Sequence, residues 1–126
     1  MTRLENLTRH WQGAAEYDHA AKLGYELTLV PSGVNIGPEG LEVAAMQLAG
    51  NLASCARHGA AVLIGGHTAL WLRAMDILTE KGCARPALFY FERSQTGNRV
   101  LALQQTTIGF SSEKRKPGAS TQGATR

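Results

Sequence analysis

The sequence predicts an α/β fold: a mostly parallel, helix-covered sheet of five strands with an antiparallel hairpin at its C-terminal end. Three observations predict it. The run Ala60-Ala61-Val62-Leu63-Ile64 is short and wholly apolar, the pattern of a strand buried on both faces. It breaks at Gly65-Gly66 and restarts at once with helical spacing through Trp71, Ala74, Met75 and Leu78. Along the whole chain, strand-like and helix-like segments alternate as β-α-β-α-β-α-β-β, and the last two are joined by a turn short enough for a hairpin.

Each element has its own signal. Residues 3–8, with Leu4 and Leu7, read as a first strand, and Arg3 and Glu5 suit a sheet edge better than a centre. Ala14, Tyr17 and Ala21 are spaced for a helix over 13–23, stopped by Gly24. Tyr25-Glu26-Leu27-Thr28-Leu29-Val30 alternates and is β-rich, so a second strand is expected over 25–31, closed by Pro31-Ser32-Gly33. After the loop 34–37, Pro38 suits a first helical position, and Glu39 and Glu42 favour a first turn. Leu41, Ala45, Leu48, Leu52 and Cys55 then form one face of a long helix over 38–58, with Arg57 and His58 ahead of Gly59. The third strand spans 60–65, and the third helix spans 67–81, ending at Gly82. A fourth strand over 86–92, a turn at Gln95-Thr96-Gly97-Asn98 and a fifth strand over 99–109 complete the order.

At 126 residues the chain suits one domain with a core that needs no staples. Met1-Thr2-Arg3-Leu4-Glu5 lacks a signal-peptide pattern, and no run reaches membrane-spanning length. Cys55 and Cys83 have no motif spacing, so reduced thiols and a cytoplasmic location are expected, with no membrane partner. The net charge of +3 resides in the last segment, where Lys114, Arg115, Lys116 and Arg126 face only Glu113. Residues 1–110 are thus balanced, which argues against a face for duplex nucleic acid. Residues 111–126 are small, polar and basic, and read as a disordered tail behind a 1–110 domain.

His10, His19, His58 and His67 are scattered without metal-ligand spacing, so no metal site and no cofactor are expected. The chain has no G-x-S-x-G elbow, P-loop or full dinucleotide fingerprint. Three segments carry the remaining chemistry. Gly65-Gly66-His67-Thr68 joins a strand to a helix N-terminus, where backbone N–H groups and the dipole favour an anion; every βα unit also needs a tight turn there. Asn6-Leu7-Thr8-Arg9-His10 ends the first strand on the same edge of a parallel sheet. Its Asn6, Thr8, Arg9 and His10 suit a phosphate and a base edge, or else Asn6 and Thr8 cap the next helix while Arg9 and His10 stay solvated. Tyr90, Arg93 and Ser94 end the fourth strand, where Arg93 can pair with phosphate and Tyr90 can stack. The plainer alternatives are a core tyrosine and a Glu92–Arg93 surface pair.

Together, Asn6-Leu7-Thr8-Arg9-His10, Ala61 to Gly66, Leu88 to Ser94 and Thr107-Ile108-Gly109-Phe110 resemble a family of small phage and prophage proteins. That family opens on an N-L-T-x-H strand, carries an I-G-G turn and ends on a Y-x-F-x-R-x-S-like strand and a final aromatic-containing strand. Its layout is similar to the stand-alone CRISPR ring nucleases related to CARF domains, which are Rossmann-like homodimers. The resemblance spans residues 4–110 and implies a CARF-like domain that takes a cyclic oligoadenylate second messenger. The chain departs from the pattern at Arg3 and Glu5, at Trp11-Gln12-Gly13-Ala14 after His10, and at His67, where proline is common in the family.

What the resemblance implies is a site with His67, His10 and Arg93 in catalytic roles. Asn6, Thr8, Gly65, Gly66 and Tyr90 would bind ligand, and the residue pattern adds Arg9, Thr68 and Ser94 to that binding set. Ring cleavage of this kind needs no metal: a ribose 2′-hydroxyl attacks the adjacent phosphate in line and leaves a 2′,3′-cyclic phosphate. Three functions come into question, the first implied by the resemblance and the others open on the residues alone. The first is a dimeric binder that degrades or sequesters a cyclic oligoadenylate defence signal. The second is an enzyme acting on a small nucleotide or nucleoside, with Gly65-Gly66 as its phosphate site. The third is a non-catalytic interaction module, which would have no need of a phosphate-competent turn.

Overall fold

The computed structural model describes residues 1–96 and 99–106. Eight elements follow in chain order: β1 (Thr2–Asn6), α1 (Ala14–Lys22), β2 (Tyr25–Leu27), α2 (Leu41–Arg57), β3 (Ala61–Leu63), α3 (Thr68–Glu80), β4 (Leu88–Arg93) and β5 (Val100–Thr106). They build one five-stranded sheet in the order β2-β1-β3-β4-β5. The first three pairings are parallel, and β4 with β5 is antiparallel. The α/β class, the mostly parallel sheet and the closing hairpin are thus as the sequence predicts. The turn residues Gly97 and Asn98, the segment 107–110 and the basic stretch 111–126 lie outside the described residues.

Two apolar layers sandwich the sheet. On one side α2 and α3 pack Leu48, Leu52, Trp71, Met75 and Leu78 against Leu7, Val62 and Leu88. On the other, Ala20 of α1 joins Leu4, Leu27, Ala61, Leu63 and Phe89. The alternation of Val62 to one side and Ala61 and Leu63 to the other is why that stretch is apolar throughout. Arg73 ties the two helices of the first layer, donating to both carboxylate oxygens of Glu42 at 2.8 Å. That pair is exposed and contributes little stability.

Four expectations need correction. First, β1 lies inside the sheet between β2 and β3, not at an edge. Arg3 and Glu5 are accommodated because both face one side, where they pair with each other at 2.7 Å, while Leu4 and Asn6 are buried on the other. A cleft of about 440 Å³ lies between them and Ser54, Cys55 and His58 at the end of α2, so this part of the face is not covered by packed side chains.

Second, β2 stops at Leu27 instead of running to residue 31, and Leu29 and Val30 are exposed. Pro31 has no N–H to give a ladder, and the Leu29 carbonyl is taken by the Asn6 carboxamide. The chain rejoins β1 beyond this bulge, with Ser32 N–H donating to Asn6 O and Gly33 N–H to Thr8 O. Third, α2 begins at Leu41 rather than Pro38. A turn closed by Gly40 N–H on Gly37 O precedes it, and Gly40 at φ +93° cannot be helical. Pro38 and Glu39 therefore sit in that turn. Fourth, the fourth strand begins at Leu88, and α3 begins at Thr68 with His67 as its extended N-cap.

Candidate functional site

The strands β1, β3 and β4 run parallel and side by side, so their C-terminal ends share one edge. From β1 the chain crosses to the layer of α1, and from β3 to the layer of α2 and α3. Adjacent strands that leave in opposite directions open a crevice at their ends, the usual ligand position in open α/β sheets.

The β1 end is shaped by Asn6 and Thr8, both buried. Asn6 Oδ1 accepts from the Thr8 N–H at 3.1 Å and the Thr8 hydroxyl at 2.6 Å, while Asn6 Nδ2 donates to the carbonyls of His10 and Leu29 at 3.0 Å each. Thr8 Oγ1 also accepts from the His10 N–H at 3.0 Å. The Asn6 carboxamide has thereby used its whole donor and acceptor capacity on the chain itself. These two residues hold the turn that presents Arg9 and His10. They do not cap α1, whose N-cap is Gly13, with the Glu16 carboxylate accepting the Gly13 N–H at 2.9 Å.

The β3 end is held as tightly. A side chain at Gly65 would place its Cβ 3.0 Å from the Thr8 methyl, and Gly66 has φ +101°. The buried Trp71 donates its indole N–H to the Gly65 carbonyl at 2.8 Å. Trp71 is core, as its spacing suggests, and it also fixes the turn. Gly33, beside them, is required by close approach: its Cβ would lie 2.6 Å from the Thr8 carbonyl oxygen.

At the third end, β4 pairs with β3 only through Leu88 and Phe89. From Tyr90 to Arg93 it pairs with β5 alone, so a two-stranded ribbon overhangs the edge. Arg93 is bound to Glu16 of α1 at 2.9 Å. Burial acts to raise the Glu16 carboxyl, but its own N–H, Arg93 and the Gly13 N–H outweigh that and hold it below the ordinary carboxylate value.

Two adjoining cavities result. The larger, about 430 Å³, is lined by Arg9, His10, Gly65, Gly66 and His67 over an apolar wall that includes Leu48 and Trp71. The smaller, about 290 Å³, is lined by Thr8, His10, Gly65, Tyr90 and Arg93, together with Trp11 and Gln12. His10 and Gly65 belong to both. The structure therefore gathers seven of the site residues named from sequence, besides Thr8, around one junction, but puts His67 and Arg93 in different cavities. Asn6, Thr68 and Ser94 line neither. Ser94 serves the hairpin turn, donating its N–H to Arg99 O and bonding Thr96 through its hydroxyl. The surface pair Glu92–Arg93 is replaced by Glu16–Arg93, a partner remote in sequence.

Sequence reasoning missed Trp11, Gln12, Glu16 and Gly33. A solitary tryptophan in the polar stretch after His10 was the available signal for the first two. Among the described residues no group of three His, Cys, Asp or Glu side chains could hold a metal, and no helix is long and apolar enough to cross a membrane. No family model, curated protein or solved structure matches the chain.

Proposed function

We propose that this chain binds a nucleotide ligand of the cyclic oligoadenylate type at the C-terminal edge of its sheet. One observation carries the reading: three strand ends bring a glycine turn, two histidines, two arginines and a tyrosine around cavities that share His10 and Gly65. The Gly65-Gly66 turn and the α3 N-terminus suit a phosphate, Arg9 and Arg93 suit its charge, and Tyr90 offers a stacking face. If the ligand is cleaved, a bond forms from the ribose 2′-oxygen to phosphorus as the bond to the 5′-oxygen breaks. A base such as His10 or His67 takes the 2′-hydroxyl proton, and an acid returns a proton to the leaving 5′-oxygen.

A cavity of about 430 Å³ suits one nucleotide, not a ring of four or six. A ring ligand therefore needs the matching cavity of a second copy, in a two-fold homodimer where each group appears twice. A small-nucleotide enzyme needs only one, and that volume is the specific observation in its favour. The test is thermal shift and product chromatography with cyclic di-, tri-, tetra- and hexanucleotides beside mononucleotides, combined with molar mass by light scattering. Binding of a ring by a dimer supports the first reading. Binding of mononucleotides alone supports the second, and binding of neither leaves the interaction module.

A further inference from the structure

The smaller cavity has a feature the phosphate chemistry does not use. Trp11 lines it and is 70 % exposed, an unusual position for the largest apolar side chain. Among the described residues its indole N–H has no hydrogen-bond partner. Tyr90, 41 % exposed, lines the same cavity. Beside Trp11, Gln12 donates its Nε2 to the His10 carbonyl at 3.0 Å. That bond fixes which end of the carboxamide is which, because a flipped amide would set oxygen against oxygen. Gln12 Oε1 is then buried without a donor. A buried acceptor left unmatched is costly, and a ligand N–H would relieve it.

We propose that Trp11 and Gln12 form a nucleobase subsite: the indole stacks on the base, and Gln12 Oε1 accepts from an exocyclic amine. This rests on the nucleotide-binding reading above and deepens it. Bases carrying an amine at that position, adenine and cytosine, present the donor that Oε1 lacks. Hypoxanthine and uracil present an oxygen there and would meet it with repulsion. A base reaches Oε1 as a rim side chain shifts, and the exposed Trp11, with no hydrogen bond to hold it, can make that movement. Arg93, in the wall of the same cavity, is placed for the phosphate of the nucleotide so held. The cavity, about 290 Å³, is at the small end for ligand sites and fits one base with its sugar.

The experiment titrates the full chain with the 5′-monophosphates of adenosine, cytidine, inosine and uridine, and with the cyclic adenylate rings. Binding is read twice, by thermal shift and by tryptophan emission. The chain has two tryptophans, and Trp71 is buried, so saturable quenching of the exposed component reports Trp11. The expected result is quenching by adenine and cytosine nucleotides that vanishes in Trp11→Phe, which still binds. Trp11→Ala should lose roughly tenfold or more in affinity. Gln12→Leu should bind adenosine and inosine nucleotides alike. Thermal stabilisation without quenching, with Trp11→Ala binding as the wild type does, overturns the subsite and leaves the nucleotide reading standing. Quenching without preference between amine and oxo bases overturns the role of Gln12. Absence of any shift with every nucleotide removes both readings.

Discussion

The indole N–H of Trp71 donates to the carbonyl of Gly65 at 2.8 Å, so a core residue of α3 reaches back to set the turn that opens its own helix. The bond joins the packing of the α2–α3 layer to the geometry of the candidate phosphate site. Trp71→Phe keeps most of the buried ring and removes only the donor, leaving a carbonyl to find another. A cost of about 1–2 kcal/mol in chemical denaturation is expected. Nucleotide affinity should fall by more than this loss of folded population explains, because the turn loosens. An unchanged affinity at reduced stability would show that the turn is held by the glycines and Thr8 alone.

Gly33 and Gly50 make opposite predictions from the same substitution. At Gly33 an added methyl would meet the Thr8 carbonyl oxygen at 2.6 Å, with Leu7 O at 2.8 Å, and backbone must move to admit it. Gly33→Ala should cost about 2–4 kcal/mol, at the severe end for a point change. At Gly50, inside α2, nothing lies within 4 Å of the new Cβ. Gly50→Ala should gain about 0.5–1 kcal/mol from helix propensity. Urea midpoints of the two variants check both signs at once.

Much of this fold is legible because its signals are local. The apolar run before Gly65 and the stops at Gly24, Gly59 and Gly82, all at positive φ, mark where strands and helices begin and end. The segments that mislead are those whose partners lie far along the chain. Leu29 and Val30 have strand propensity, yet the Asn6 side chain, 23 residues earlier, takes the carbonyl of Leu29 and bends the strand out. Arg3 and Glu5 look like edge residues until their mutual pairing beside an open cleft is seen. The three segments named from sequence do meet at one edge of the sheet. Asn6 and Ser94 are polar residues at strand ends, and sequence cannot say whether such groups face a ligand or their own backbone. Here neighbouring groups of the chain take both: backbone carbonyls for the Asn6 amide, and Thr96 for the Ser94 hydroxyl.

That division of labour predicts how Asn6 behaves. It is wholly buried and its side chain makes four hydrogen bonds, so Asn6→Leu leaves the Thr8 N–H and the Leu29 carbonyl without their partner and breaks the links to the Thr8 hydroxyl and the His10 carbonyl. Destabilisation of about 3 kcal/mol or more is expected, the scale of breaking a buried polar network. A variant that folds with near wild-type stability but fails to bind nucleotide would instead make Asn6 a ligand contact.

Glu16 gives a pH dependence with a definite sign. Its carboxyl is held below the ordinary value of 4.5 in the folded chain, so the folded state favours the ionised form. The stability this contributes is fully present above the unfolded value and is lost as pH falls through the lower folded value. Glu16→Gln keeps an oxygen for the Gly13 N–H but removes the charge facing Arg93. The variant should be less stable than wild type at pH 7, and the difference should shrink toward pH 3. Equal differences at both pH values would mean that packing, not charge, is lost.

The two cavities also separate the catalytic candidates. His67 and Arg93 share no cavity, whereas His10 borders both and alone of the three can face a ligand held in either. If a cyclic adenylate is cleaved, His10→Ala should slow product formation by about a hundredfold or more, the range of a lost general acid or base, with binding largely retained. His67→Ala should act only on ligands that fill the larger cavity. Arg93→Ala should weaken binding by about 2 kcal/mol, as for a charge-assisted pair, unless Glu16 keeps the guanidinium from the phosphate. Glu16→Gln decides that point: affinity for the anion rises if the carboxylate competes with it, and falls if the carboxylate holds Arg93 in place. Single-turnover rates and dissociation constants measured on the same four variants separate these effects. A His67→Ala variant that loses cleavage while His10→Ala keeps it would invert the assignment.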